Sequence, residues 1–210
     1  MEVRISVRGL VEFILRAGDI DNRRGRSAEN AMAEGGRIHR MIQRRMGSEY
    51  TAEVSLSYRY PAGEYDILVD GRADGIIDGD VVTIDEIKGT YRHLDKMETP
   101  VPEHLAQAKC YACIYAGQHD LERVRVRMTY CNMDTEDIRY FYETYDAKEC
   151  SNGLREFWSS IKNGWTTVSN GIRKDNSPSK NCSFLFHIEK GRRNWQPMCI
   201  RRLFTNGNCF

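Results

Sequence analysis

The sequence predicts an α/β fold in which a mixed central β-sheet is flanked by helices. Two observations carry this prediction. Five segments are predicted as strands, three of them by alternation of apolar and polar residues and one by its β-branched residues. Segments with helical periodicity precede, interrupt and follow them. The predicted order is two helices, three strands, one helix, two strands and a closing helix. The chain of 210 residues is long enough to bury the core of one such domain.

The first two elements are helices. Ser6 fits the N-cap of a helix whose apolar face includes Leu10 and Ile14, and Gly18 ends that helix. A second helix is predicted over roughly residues 27–46.

The later elements follow from alternation, turn residues and helical spacing. Strands are predicted at 54–59, 65–77, 81–88, 124–130 and 138–145, and helices at 103–116 and 154–161. Asp78-Gly79-Asp80 is a hairpin signal between the second and third strands.

The net charge of +1 hides a division of the chain. Residues 163–210 hold eight Lys/Arg against two acids, a net of +6, whereas residues 1–162 hold 23 basic and 28 acidic residues, a net of −5. We therefore predict a domain over 1–162 and a tail, 163–210, without an assignable domain.

Several classes of protein are not expected. No apolar stretch approaches the roughly 20 residues of a membrane-spanning helix, and Arg4 and Arg8 interrupt the N-terminal apolar residues, which is atypical of a signal peptide. The seven cysteines are odd in number and irregularly spaced, which favours reduced thiols in the cytoplasm over a disulfide framework.

The segment with the clearest chemistry is 70–90, DGRADGIIDGDVVTIDEIKGT. Glu86 and Lys88 lie two apart on a predicted strand and so project from the same face. If the turn is 78–80, Asp74 on the preceding strand opposes Ile84 and is a diagonal neighbour of Glu86 on that face. A two-residue turn would place the two acids on opposite faces.

Two carboxylates at one point require a cation, and hard oxygen ligands suit Mg²⁺ or Mn²⁺. A lysine beside such a site can orient or deprotonate a water and offset charge on a phosphate. Asp80 and Asp85 are interpreted as turn or outer-face residues.

These residues resemble the PD-(D/E)XK nucleases, with Asp74 as the first acid and Glu86-Ile87-Lys88 as the (D/E)xK triplet. Gln107 and Tyr111 match the Q-x-x-x-Y motif of the RecB-type branch, and EGGRIHRMIQ resembles the helix of that branch that carries a metal-binding histidine.

The resemblance covers roughly residues 30–115 and implies a restriction-endonuclease-like core that cleaves DNA. It implies that His39, Asp74, Glu86 and the backbone carbonyl of Ile87 hold the metal. Lys88 would act on the attacking water, and Gln107 and Tyr111 of the Q-x-x-x-Y motif would position the site or the DNA strand.

Some relatives hold an iron–sulfur cluster with one cysteine before the site and three after it. This chain has no cysteine before Cys110, so no such cluster is expected.

Other interpretations of the same residues remain open. His39 could be a surface helix residue, Glu86 and Lys88 an ion pair worth under about 1 kcal/mol, and Gln107 and Tyr111 ordinary packing residues. The chain could then be a non-catalytic DNA-binding module, or a fragment that has lost its motor.

The tail carries a second signal. Residues 1–162 resemble the nuclease module at the N-terminus of XPD/DinG-like bacterial helicases. Residues 184–198 have an allowed coding that, read one base earlier, gives FPFPYREGQKKLAAD, and this resembles the entry to the helicase motor. Trp195 and Met198 allow no codon choice, and both fit.

The tail is therefore predicted to be an out-of-frame helicase start, with the shift near Asn163. The alternative is a basic tail that contacts a phosphate backbone.

Overall fold

The computed structural model describes residues 2–15, 28–61, 63, 66–150 and 152. Its strands and α-helices, in chain order, are β1 (Glu2–Ser6), α1 (Val7–Leu15), α2 (Ala28–Arg44), β2 (Tyr50–Pro61), β3 (Asp66–Ile77), β4 (Thr83–Thr90), α3 (Pro102–Gln118), β5 (Arg123–Asn132) and β6 (Ile138–Asp146). A short 3-10 helix, Leu94–Lys96, lies between β4 and α3. The predicted α/β class, with a mixed central sheet and flanking helices, is confirmed.

The chain divides into two units, Met1–Ser151 and Asn152–Phe210, and all the described residues except Asn152 belong to the first. The predicted closing helix at 154–161, the predicted boundary at residue 162 and the tail lie outside the described residues. Within the described ranges, none of the helices has the length and hydrophobicity needed to cross a bilayer.

The sheet is organised around β3. Its strand order is β1-β3-β4-β5-β6, and β2 pairs antiparallel with β3 from Asp66 to Ile77, except at Asp74. Since β2 occupies one edge of β3, the other edge is shared: β1 pairs parallel with residues 66–70 and β4 pairs antiparallel with residues 75–77. Residues 71–74 of β3 have no partner on that edge among the described strands. We call them the open stretch.

β1 is a strand that the sequence did not predict. It pairs with a segment of β3 more than 60 residues away, and its five residues are too few to establish an alternation. The predicted cap behind it is observed, because Ser6 Oγ accepts a hydrogen bond from the Gly9 backbone N–H at 3.0 Å.

Helices cover both faces of the sheet. On one face, Ile38 and Ile42 of α2 pack in a fully buried cluster with Ile87 of β4. On the other face, the Tyr130 hydroxyl of β5 accepts a hydrogen bond from the backbone N–H of Val101, just before α3. Lys88 lies beside Tyr130 in the register. The side chains of β4 that alternate with Ile87 therefore project toward α3.

The loop between β3 and β4 is longer than predicted. Ile77 pairs with Thr83 and Gly75 with Asp85, so five residues, 78–82, form the connection instead of three. Continuing this register by one residue places Asp74 opposite Glu86, not diagonal to it. A shift of two residues does not change which side chains share a face, so this register keeps the two acids on one face, and the charge of Asp74 acts on Glu86.

Candidate metal centre

The open stretch is where β3 and β4 separate. Beyond the Gly75–Asp85 pair, the Ile87 backbone N–H donates to Asp74 Oδ2 at 2.7 Å instead of to a β3 carbonyl. On a strand, the N–H and C=O of one residue face the same neighbouring strand. The Ile87 carbonyl, predicted as a metal ligand, therefore also faces the open stretch.

Glu86 is a buried carboxyl with one oxygen left over. Glu86 is 1% exposed. Its Oε1 accepts a hydrogen bond from Lys88 Nζ at 2.7 Å, while its Oε2 has no partner among the described residues. Burial, and then the charge of Asp74, raises the Glu86 pKa to about 8. An orphaned, fully buried carboxylate oxygen is costly unless a cation or donor satisfies it.

His39 of α2 contacts the side chain of Asp74. Its Nδ1 lies 3.2 Å from Asp74 Oδ1. Burial lowers the His39 pKa, but the hydrogen bond to Asp74 and the charge of that carboxylate outweigh burial, and the net shift is upward. The imidazole and the first acid of the predicted motif are thus in direct contact.

Tyr111 of α3 lies against the open stretch. Its hydroxyl is hydrogen-bonded by the Gln107 side chain and by the Arg72 backbone, and burial raises the Tyr111 pKa to about 12. A Cβ at Gly71 would lie 2.6 Å from that hydroxyl, so a side chain there would displace the ring. The two residues of the predicted Q-x-x-x-Y motif are therefore hydrogen-bonded to each other, and Tyr111 packs against β3, the strand that carries Asp74.

Asp85 corrects a prediction, because it is not on an outer face. It is fully buried and accepts two hydrogen bonds from the Arg127 guanidinium, at 2.9 and 2.8 Å, and one from Thr129 Oγ1. The Tyr50 hydroxyl lies 3.1 Å from Asp85 Oδ2 and 3.3 Å from the Asp74 backbone carbonyl. These hydrogen bonds connect the buried Asp85 carboxylate, through Tyr50, to the backbone carbonyl of Asp74.

Glu53 of β2 lies beside the candidate site and is not among the residues predicted from the sequence. His39, Glu53 and Asp74 each present a potential ligand atom, and these atoms all lie within 4.8 Å of one another. In the hairpin register, Glu53 falls opposite Asp74. That register could have indicated Glu53, but it depends on the length of the loop between β2 and β3.

The donor set fits a divalent cation. Glu86 Oε2 lacks a partner in the described part of the chain, and the charges of Asp74 and His39 both act on Glu86. Asp74 itself contacts His39 and the Ile87 N–H. Carboxylate and carbonyl oxygens suit Mg²⁺ and Mn²⁺, and imidazole extends the set toward softer ions. The seven predicted site residues thus lie at or beside the open stretch, and their roles stay predictions.

Comparison with known proteins adds the following. No protein-family model matches the chain, and no curated protein matches its sequence. Among solved structures, it is similar to the crystal structure of SSO0001, with 16% identity and a TM-score of 0.45 over 90% of this chain and 85% of that one. It is also similar to an alkaline exonuclease, LHK-Exo from Laribacter hongkongensis, with 15% identity and a TM-score of 0.46 over 81% of this chain and 94% of that one. At these values, neither similarity assigns an activity to this chain.

Proposed function

We propose that the chain is a nuclease that uses Mg²⁺ or Mn²⁺ to hydrolyse phosphodiester bonds in DNA, on a restriction-endonuclease-like core of the RecB type. The observation that carries the proposal is Oε2 of buried Glu86, which has no partner among the described residues, while the charges of Asp74 and Lys88 act on that carboxyl. A buried polar oxygen without a partner is uncommon, and a bound cation would satisfy it.

The proposed metal ligands are His39, Asp74, Glu86 and the Ile87 carbonyl. A bound divalent cation would supply Lewis-acid stabilisation of the phosphate and lower the pKa of a bound water. The protein fixes the ligands in advance: Asp74 is held by the Ile87 N–H, and its main-chain carbonyl is held by Gln43 Nε2 at 2.9 Å.

Lys88 is the proposed partner of the attacking water. Glu86 uses one of its three N–H groups, and the described residues show no further acceptor for Lys88. Its side chain is 23% exposed, so a water or a phosphate oxygen can reach it. Gln107 and Tyr111 support the strand carrying Asp74 and would position the site or the DNA.

The activity is tested on the full chain with single-stranded DNA and Mn²⁺. We expect cleavage that EDTA abolishes and that Lys88→Ala lowers by about 100-fold or more, the scale of a general acid–base contribution. Lys96→Ala, at an exposed lysine of the 3-10 helix, is the matched control and should cleave normally.

Cleavage that persists in Lys88→Ala would contradict the proposal. DNA binding without cleavage would instead support a non-catalytic module. The absence of both binding and cleavage would support a non-functional fragment.

We further propose that this domain is the N-terminal nuclease part of a helicase–nuclease of DNA repair or processing, acting on single-stranded or helicase-unwound DNA. The net charge of −5 over residues 1–162 supports this, because autonomous DNA binders present strongly basic surfaces. The tail would be the out-of-frame start of the motor. Resequencing of the gene tests this, and an uninterrupted frame ending at Phe210 in independent isolates would contradict it.

A further inference from the structure

We propose that single-stranded DNA binds to an exposed surface of β5 and β6, where its bases stack on Tyr140 and Tyr142. The surface, which we call the tyrosine surface, consists of these two residues with Arg125 and Arg127. None of the four belongs to the candidate metal centre. The inference rests on the proposed function, because it names a second place at which the substrate of that nuclease is held.

The tyrosine surface contains an exposed pair of aromatic side chains. Tyr140 is 40% exposed and Tyr142 is 57% exposed, and both lie on one face of β6, the last of the described strands in the sheet order. Their ring centroids are 6.3 Å apart, and the rings are inclined by 36°. Neighbouring exposed rings of this kind offer flat apolar surfaces on which unpaired bases can stack, whatever their sequence.

The two tyrosines face the side of the sheet that α2 covers, but they lie beyond that helix. Ile138, two residues before Tyr140, packs against the buried cluster that contains Ile38 and Ile42 of α2. Side chains two apart on a strand share a face, so Tyr140 and Tyr142 continue the same row. Their exposure shows that none of the described elements covers the end of this row.

Arg127 supports the Tyr140 ring from inside the protein. Its guanidinium carbon lies 5.2 Å from the centroid of that ring, and the buried Asp85 carboxylate holds the guanidinium through hydrogen bonds of 2.9 and 2.8 Å. The ring therefore rests on a fixed cationic group while part of it faces solvent. A side chain that is already fixed loses little conformational entropy when a base stacks on it.

Charge favours a polyanion beside the tyrosines. Arg125 Nε lies 3.4 Å from Thr144 Oγ1, and neither Arg125 nor the exposed Arg123 has an acidic partner among the described residues. Asp146 lies opposite Arg123 in the register, and its Oδ1 accepts a hydrogen bond from the Lys148 backbone N–H at 2.8 Å. Two guanidinium groups at this end of β5 can therefore contact phosphate oxygens.

The tyrosine surface lies within reach of a strand held at the candidate metal centre. Tyr140 is opposite Thr129, and Thr129 is opposite Ile87, so the backbones of Tyr140 and Ile87 are about 10 Å apart, two strand spacings. α2 packs on Ile87, and its Arg40 and Arg44 are exposed without an acidic partner in the described ranges. A strand that crosses α2 toward the tyrosines would pass these two cations.

The test is a fluorescence-anisotropy titration of a short labelled oligothymidine strand with the full chain, at low salt and with EDTA. EDTA removes the cation on which the proposed cleavage depends, so the readout is independent of nuclease activity. We expect Tyr142→Ser to weaken binding by at least about fivefold, the scale of one base–aromatic stack. Tyr142→Phe keeps the ring and should bind like the wild type.

The arginine contribution is measured by repeating the titration over a range of salt concentrations. Arg125→Ala should lower the salt dependence of the affinity by about one released counterion. Arg59→Ala is the matched control and should leave it unchanged, because Arg59 is an exposed arginine of β2 that is already paired with Glu2 and Asp66.

Crosslinking locates the contact in the unaltered protein. A strand that carries 5-iodouracil, irradiated in the complex with the wild type, should label Tyr140 or Tyr142 in the mass spectrum. Thermal unfolding confirms that each variant is folded.

Three results would overturn the inference: no binding by the wild type at low salt, Tyr142→Ser binding equal to that of the wild type, or crosslinks only at other residues. Each leaves the nuclease proposal standing, because cleavage is measured separately with Mn²⁺. Wild-type dimers that Tyr142→Ser dissociates, with DNA binding unchanged, would likewise overturn it and identify the tyrosine surface as an interface between two copies. Binding as predicted without cleavage would contradict only the nuclease proposal.

Discussion

Arg127→Met tests the buried network beneath the candidate metal centre. Asp85 is fully buried, and the Arg127 guanidinium is its only cationic partner within the described residues, through two hydrogen bonds of 2.9 and 2.8 Å. Methionine keeps much of the volume but removes both donors and the charge. Thr129 and Tyr50 would remain as neutral hydrogen-bond donors to the carboxylate.

The expected cost follows from this geometry. Each hydrogen bond to a charged group contributes about 1.5–3 kcal/mol, so two give about 3–6 kcal/mol. Removal of one partner of a buried ion pair typically costs about 3–5 kcal/mol, because the other charge stays buried without compensation. We therefore expect Arg127→Met to lower the free energy of unfolding by about 4 kcal/mol. This is a large part of the roughly 5–15 kcal/mol typical of a domain.

The assay is urea unfolding of the full chain, followed by far-ultraviolet circular dichroism at pH 7.5. Asp85→Asn is the matched variant: Thr129 bonds Oδ1 and Tyr50 bonds Oδ2, so the amide oxygen can accept from one hydroxyl while the amide NH₂ donates to the other. In the double variant Asp85→Asn, Arg127→Met no buried charge is left unpaired, so its cost should be smaller than the sum of the two single costs. A cost below about 1 kcal/mol for Arg127→Met, or simple additivity in the double variant, would refute the reasoning.

Two further predictions concern stability. A Cβ at Gly75 would lie 1.9 Å from the Tyr50 ring, so Gly75→Ala should cost about 1–3 kcal/mol in the same assay; Gly79→Ala, with no atom within 4 Å of the added Cβ, is its control and should be nearly neutral. Burial, and then the charges of Lys88 and nearby arginines, lowers the His104 pKa to about 4. The unfolded chain therefore binds more protons between about pH 6.5 and 4, and folding stability falls as the pH falls through that window. After a discount for partial exposure, we expect the wild type to lose about 1–2 kcal/mol more than His104→Gln between pH 7 and 4.5. Equal losses in unfolding experiments would contradict this.

The elements with strong local patterns could be predicted from the sequence. The strands and the third helix have clear alternation or helical spacing, and Ser6 acts as the predicted cap. β1 could not be predicted, because its partner in β3 lies far along the chain and fixes it from outside. The register of β3 and β4 depended on a loop length that turn residues alone do not determine.

The candidate site was predictable as a set of residue types, but its supporting contacts were not. The spacing of Glu86 and Lys88 already places both on one face. In contrast, Asp85 looks like a surface acid until the side chain of Arg127, 42 residues away, is found against it. Glu53 likewise comes to lie beside the site only through the pairing of two long strands.

Because the Asp74 side chain accepts the hydrogen bond from the Ile87 N–H, it has a structural role in the sheet besides its proposed role as a metal ligand. Asp74 takes the place of a main-chain acceptor where the ladder is interrupted, and so it is part of the sheet's architecture as well as of the proposed metal centre. An inactive Asp74→Ala protein would therefore confound structural damage with the loss of a proposed metal ligand. Asp74→Asn, which keeps an acceptor oxygen and removes the charge, separates these two contributions.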